Sequence, residues 1–304
     1  MKKRKKIAKV ENVEIHAVAD IADRPAKKKR RAMFYFLLGF LGVLLILLLN
    51  RTDEIARQFL FYPQKYSGDF STETYYEVHF KNARGETLYG YYFPVASAGV
   101  PAKGSILYSH GNGEDISNNL DRGCELRDDL HCNVLIYDYA GYGKSEGEPT
   151  ARGILQDGRA ARDHLAHLSG TSAQEIIVYG FSLGGSVAVD IAAKDGARAL
   201  IVESSFTSIG DMGRRMFPFL PVNWLLRERL ASVEKIGKFH GPVFISHGER
   251  DDTIPISQGR RLFTAANEPK TFYVPPKDFD YHSAPHCLEH RQKLREFIDS
   301  LTEE

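Results

Sequence analysis

Six short apolar runs recur between residues 105 and 274: Ser105–Tyr108, Asn133–Tyr137, Glu175–Tyr179, Ala199–Val202, Val243–Ser246 and Thr271–Val274, with helical stretches between them. Strands that are apolar at nearly every position are buried on both faces, and helical crossovers join strands that run the same way. An α/β domain follows, with a mostly parallel sheet between two layers of helices. Two earlier segments, Tyr75–Phe80 and Thr87–Phe93, alternate around the turn Asn82-Ala-Arg-Gly85 and read as an antiparallel hairpin, which brings the sheet to about eight strands. At 304 residues and 43% hydrophobic, the chain has material for one catalytic domain of this kind and an extension.

The extension is N-terminal and basic. Through Arg31 there are twelve Lys/Arg against four Asp/Glu, so the overall charge of +1 divides into +8 for this tail and −7 for the remainder. Residues 1–31, rich in Lys and poor in aromatics, are expected to be disordered. Ala32–Leu49 is a run of eighteen uncharged, largely apolar residues, about 27 Å long as a helix and long enough for a bilayer. No small-x-small cleavage site precedes Asn50-Arg51-Thr52-Asp53-Glu54, so residues 32–50 read as an uncleaved anchor rather than a signal peptide. Lys27-Lys-Lys-Arg-Arg31 abuts the apolar run on one side. The positive-inside bias then keeps the N-terminus cytoplasmic and places the rest outside the cytosol, in a periplasm, lumen or exterior. The basic runs are assigned to lipid headgroups, and no nucleic-acid partner is expected. A linker over residues 51–74 leads to the domain at 75–304. Outside the cytosol a bridge between Cys124 and Cys132, with Cys287 free, competes with two buried free thiols.

Candidate chemistry begins at Gly180-Phe181-Ser182-Leu183-Gly184, where the apolar strand Glu175–Tyr179 runs into a small-residue helical stretch, Ser182–Lys194. A serine on such a strand-to-helix turn is exposed and needs small neighbours, which makes Ser182 a candidate nucleophile. A hydroxyl is activated only by a base, itself oriented by an acid. The acid is sought in the polar loop after Val243–Ser246, where Asp251 and Asp252 compete. Of His282, His286 and His290, a helix starting near Pro285 leaves His282 on the preceding loop as the base and puts the other two on a solvent-facing helix surface. Their spacing of four also suits a metal, but no carboxylate or cysteine cluster accompanies them, so no metal or cofactor is implied. Ser109-His-Gly-Asn-Gly113 can turn backbone amides toward the serine, giving Asn112 N–H and Leu183 N–H as oxyanion donors. Asp211–Leu230, which carries Met216, Phe217, Phe219, Leu220 and Trp224, is where a short cap would lie.

In this order, His110-Gly-Asn-Gly113, Tyr137-Asp-Tyr-Ala-Gly-Tyr-Gly-Lys-Ser-Glu-Gly147, Gly180-Phe-Ser-Leu-Gly-Gly185 and His247-Gly-Glu-Arg-Asp-Asp-Thr-Ile-Pro255 resemble the α/β-hydrolase superfamily, over roughly Tyr62 to Leu301. The chain looks most like compact, short-lidded members such as protein depalmitoylases, monoacylglycerol lipases and peptidase-like relatives of prolyl oligopeptidase. The resemblance implies an α/β-hydrolase fold, and the apolar run at 32–49 adds one transmembrane helix before it. It also implies Asp251 as the acid, because the family's acid loop places a proline four residues on, here Pro255. The family's histidine often follows glycine, whereas Tyr281 precedes His282 here. The expected function is a membrane-anchored serine hydrolase with the triad Ser182, Asp251 and His282. Its substrate would be a carboxylic ester or thioester in a small molecule, a lipid or an acylated protein. A peptidase or amidase with the same triad and a silent interaction scaffold are the alternatives.

Overall fold

The computed structural model describes residues 33–37, 39–40, 42, 60–66, 68–95, 99–216, 219, 229–276 and 287–302. The chain divides into two compact units, Met1–Thr52 and Asp53–Glu304. In the first, the described residues between 33 and 42 are helical, and Met33, Phe34, Tyr35, Phe36, Leu37 and Phe40 are exposed. No helix among the described residues is long and apolar enough to cross a membrane. Most of the expected anchor lies outside the described residues.

The second unit is built on an eight-stranded sheet: β1 (Tyr76–Lys81), β2 (Thr87–Phe93), β3 (Ser105–Ser109), β4 (Asn133–Tyr137), β5 (Ile176–Phe181), β6 (Ala199–Glu203), β7 (Val243–Ser246) and β8 (Lys270–Tyr273). Spatially the order is β1-β2-β4-β3-β5-β6-β7-β8, antiparallel at β1/β2 and β2/β4 and parallel at every other pair. Every residue of β5 is buried. Ile176 and Val178 enter one core, whereas Ile177, Tyr179 and Phe181 enter the other. That double burial explains why the strand reads as a continuous apolar run.

Helices cover both faces. On one side, α1 (Leu120–Leu130) contributes Leu126 and Leu130, and the C-terminal helix α7 (Leu288–Ser300) contributes Leu294 and Ile298. On the other lie α2 (Ala151–Ser169), α3 (Leu183–Asp195), α5 (Ser232–Lys235) and α6 (Ile256–Ala265), with Leu165, Val187, Ile191 and Leu262 inside. Each such aliphatic side chain contributes about 1.5–3 kcal/mol on burial. A short helix, α4 (Ile209–Met216), leaves the end of β6 toward the cap segment. Buried Asp190 fixes α3, accepting ion pairs from Arg159 of α2 at 2.7 Å, Lys194 at 3.0 Å and Lys235 of α5 at 2.7 Å. Burial alone would raise its pKa, but bonds from Lys235, Arg159 and Lys194 outweigh that and hold it below the ordinary carboxyl value.

One expectation needs correction, and the structure chooses between the two readings of the cysteines. Helix α7 begins at Leu288, with Cys287 as its N-cap residue. Its inner face carries His290, Leu294 and Ile298, so His290, expected at solvent, is fully buried, and Leu288 is exposed. The register rests on the i, i+4, i+8 spacing of 290, 294 and 298, which a reading anchored on Leu288 misses. All three cysteines are free. Cys132 is buried at the β4 end with its thiol directed at Leu130 O, 3.4 Å away, while Cys124 is half-buried on α1.

Candidate active site

The carboxyl ends of β3, β5, β6 and β7 converge on one cavity of about 390 Å³. At its floor Ser182 adopts φ 50°, ψ −113°, immediately ahead of α3. This is a sparsely populated conformation for a non-glycine residue, and it persists only where the surroundings over-determine it. The flanking glycines are required sterically. A Cβ at Gly180 would lie 2.2 Å from Gly184 O, and one at Gly184 would lie 1.9 Å from Ser109 O. The turn is thus pressed against the end of β3, which lets the serine stand clear of the sheet.

Leu183 opens α3, and a first-turn N–H has no acceptor within its own helix. Across the cavity, Asn112 sits in the loop after β3. Its side chain is anchored: Oδ1 accepts from Tyr62 N at 3.0 Å and from the Tyr142 hydroxyl at 2.7 Å, and Nδ2 donates to Leu60 O at 2.7 Å. Three residues of the Tyr137–Gly147 stretch hold this loop. The Tyr139 hydroxyl donates to His110 O at 2.8 Å, Tyr142 reaches Asn112, and the Asp138 carboxylate lies 3.4 Å from His110 Nε2. Burial pushes the His110 pKa down, but Asp138 overrides it and leaves the imidazole above its ordinary value. The two glycine-rich stretches of the sequence are thus halves of one device.

Asp251 is buried on the loop after β7, whereas Asp252 is exposed. Its Oδ1 accepts from Thr253 N at 3.0 Å and Ile254 N at 2.7 Å. His247 Nε2 donates to Ile254 O at 2.7 Å and closes the loop from below. Asp251 Oδ2 has no hydrogen-bond partner among the described residues. A buried carboxylate oxygen without a donor carries a large desolvation penalty, so it marks a place where a donor belongs.

Ser182, Leu183, Asn112 and Asp251 all line the cavity. His282, His286 and the cap residues Phe217, Leu220 and Trp224 lie outside the described residues. Leu60, Phe181, Phe206, Ile209, Met212 and Ile254 make the rest of the wall mainly apolar. Leu60 and Tyr62 come from the stretch read as a linker, whose aromatic residues carry no sequence signal distinguishing a wall from a tether. Glu114 was also missed; it lines the cavity and accepts from Gly111 N and Asn119 Nδ2, each at 3.3 Å. No group of three or more His, Cys, Asp or Glu side chains among the described residues is placed to hold a metal ion.

A strained serine between a strand and a helix, at the carboxyl edge of this sheet, agrees with a match of residues 106–288 to the model of the alpha/beta hydrolase family. The chain belongs to that family. An uncharacterized protein of Mycobacterium tuberculosis strain H37Rv is 37% identical over 220 residues, which are 72% of this chain and 76% of the relative. The human alpha/beta hydrolase domain-containing protein 17B is 35% identical over 169 residues, 55% of this chain and 57% of its own length. Among solved structures, the esterase Pf2001 of Pyrococcus furiosus superposes with a TM-score of 0.63 at 18% identity, over 78% of this chain and 98% of the esterase. Est1E of Butyrivibrio proteoclasticus, solved with ferulic acid bound, gives 0.61 at 19% identity, over 75% and 100%. These two likenesses establish a shared alpha/beta hydrolase fold.

Proposed function

We propose that this alpha/beta hydrolase is a serine esterase or thioesterase, tethered to a membrane by residues 32–50 and acting on an acyl-chain substrate. The carrying observation is that Ser182, on its strained turn, shares an apolar cavity with a buried Asp251 whose Oδ2 has no hydrogen-bond partner among the described residues, His247 Nε2 standing 3.5 Å away. In this reading His282 supplies the donor through Nδ1–H, which leaves Nε2 free to take the serine proton. Ser182 Oγ attacks the acyl carbon while its proton passes to His282, and the oxyanion accepts from Asn112 N–H and Leu183 N–H. The tetrahedral species then collapses, and His282 returns the proton to the departing alcohol or thiol. Water, deprotonated by the same imidazole, hydrolyses the acyl-enzyme and restores the serine.

The substrate class is supported by the apolar wall, and esterases are among the proteins that share the fold. The tether is supported by the exposed apolar side chains of the helical residues between 33 and 42, a patch that water covers poorly. Ser182→Ala tests the reading. It should abolish p-nitrophenyl ester turnover and fluorophosphonate labelling while leaving the thermal midpoint in place. Loss of a triad nucleophile typically removes several orders of magnitude in rate. Persistent labelling of the variant would exclude Ser182 as the nucleophile. A parallel assay with a peptide amide separates the hydrolysis of esters from that of amides.

A further inference from the structure

Ser182 is held by the segment that ends β6, and the way it is held is not explained by packing alone. Its backbone N–H donates to Glu203 O at 2.9 Å, one rung beyond the parallel pairing of Phe181 with Glu203. Its carbonyl accepts from Ser205 Oγ at 2.7 Å. Between these two contacts Ser204 also takes a positive φ, 45°, with its N–H on Ser246 O at 2.9 Å. Two residues of positive φ therefore follow the ends of adjacent strands, and besides the Gly185 N–H of its own turn, 3.1 Å from its carbonyl, Ser182 is held from the β6 side by Glu203 and Ser205.

The Glu203 side chain anchors this segment from the other face of the sheet. It is buried, and its Oε2 accepts from the Tyr179 hydroxyl of β5 at 2.5 Å and lies 3.6 Å from the Arg122 guanidinium of α1. Its Oε1 lies 3.4 Å from His290 Nε2 of α7, which is also 3.2 Å from Ser246 Oγ. The carboxylate offsets the buried Arg122 guanidinium and accepts from Tyr179, so it is held in place on two sides. The hydrogen bond from Tyr179 and the charge of Arg122 tie the end of β6 to β5 and α1 in a way an aliphatic group could not.

On the reading that Ser182 is the nucleophile, we infer that Glu203 and Ser205 are positioning residues that hold Ser182 in its attacking geometry. Glu203 acts through its own carbonyl and Ser205 through its hydroxyl. The serine hydroxyl's direction is set by a backbone conformation that would relax without them, and displacements of about 1 Å in such geometry can lower rates by roughly a hundredfold.

The test uses the full chain and p-nitrophenyl acetate, with Ser205→Ala, Glu203→Gln and Ser182→Ala compared with wild type. Ser205→Ala removes one hydroxyl and is expected to fold. Its kcat should fall by about tenfold or more, with KM within about twofold, since only the reacting geometry is lost. Its thermal midpoint should remain near wild type. Glu203→Gln, where it folds, should show the same split between kcat and KM with a larger loss. A Ser205→Ala kcat within about twofold of wild type overturns the inference while leaving the nucleophile reading intact, provided Ser182→Ala is inactive. A fall in kcat that comes with a raised KM and a lowered midpoint overturns it too, because that pattern marks general loosening. Activity in Ser182→Ala removes both the nucleophile reading and the inference.

Discussion

At the scale of single residues, Asp251 and Asp252 are adjacent, identical in chemistry and opposite in environment. The first is buried with one oxygen saturated by two backbone N–H groups, and the second is exposed. Asp251→Asn keeps the volume but offers an amide where a carboxylate must hold an imidazole tautomer. It is predicted to lower kcat by about three to four orders of magnitude, whereas Asp252→Asn should stay close to wild type. Steady-state kinetics of the two variants decides the matter, and equal losses would remove Asp251 from the triad. Gly184→Ala belongs at the same scale. Its Cβ would sit 1.9 Å from a main-chain oxygen of β3, so the backbone itself must move. Destabilisation of about 1–3 kcal/mol is expected, with esterase activity lost even in the folded fraction, and chemical denaturation read beside activity tests both parts. The serine and its two glycines were legible in the sequence because sterics leave few residue types for such a turn. The Glu203 carbonyl was not, because a main-chain acceptor leaves no mark on residue identity.

At the scale of elements, the eight strands are readable for two reasons: β3, β5, β6 and β7 are buried at every position and read as apolar runs, whereas β1 and β2 are read from alternation about their turn. The final helix was readable in existence but not in phase. His290, a residue type common at surfaces and expected there, lies against Phe244 and Tyr273. Burial depresses the His290 pKa below its ordinary 6.5, against the opposing pull of Glu203. The imidazole is therefore neutral in the folded protein, and the unfolded chain binds the extra proton. Stability from this group is fully present above about pH 6.5 and is lost as pH falls through the depressed folded value. The thermal midpoint should decline between pH 7.5 and 5, by about 2–4 °C for each kcal/mol lost in a domain of this size. His290→Gln should flatten that component of the slope, and an unchanged slope would place the acid sensitivity elsewhere.

At the scale of the whole molecule, charge and hydropathy divide the chain into parts that suit different surroundings. A tail of +8 and an eighteen-residue apolar run precede a remainder of −7 whose sheet buries its own apolar surface. An anionic leaflet attracts each juxtamembrane Lys or Arg with about 1 kcal/mol, so Lys27–Arg31 should hold the N-terminus on the cytoplasmic side. On the proposed function, the apolar cavity beside Ser182 would gain its substrates by proximity to lipid. Two consequences can be separated experimentally. Removing residues 1–50 should release a soluble hydrolase with unchanged kcat on p-nitrophenyl acetate, while turnover of long-chain acyl substrates presented in vesicles should fall because the tether no longer concentrates enzyme at the surface. A C-terminal reporter active only outside the cytosol should give signal in the full chain. It should lose that signal when Lys27–Arg31 are replaced by Glu, since the orientation rests on that block of charge and Arg51 stands nearly alone on the other side of the apolar run. A full chain that fractionates as soluble protein would refute the anchor, and a reporter silent from the start would reverse the topology while leaving the hydrolase reading untouched.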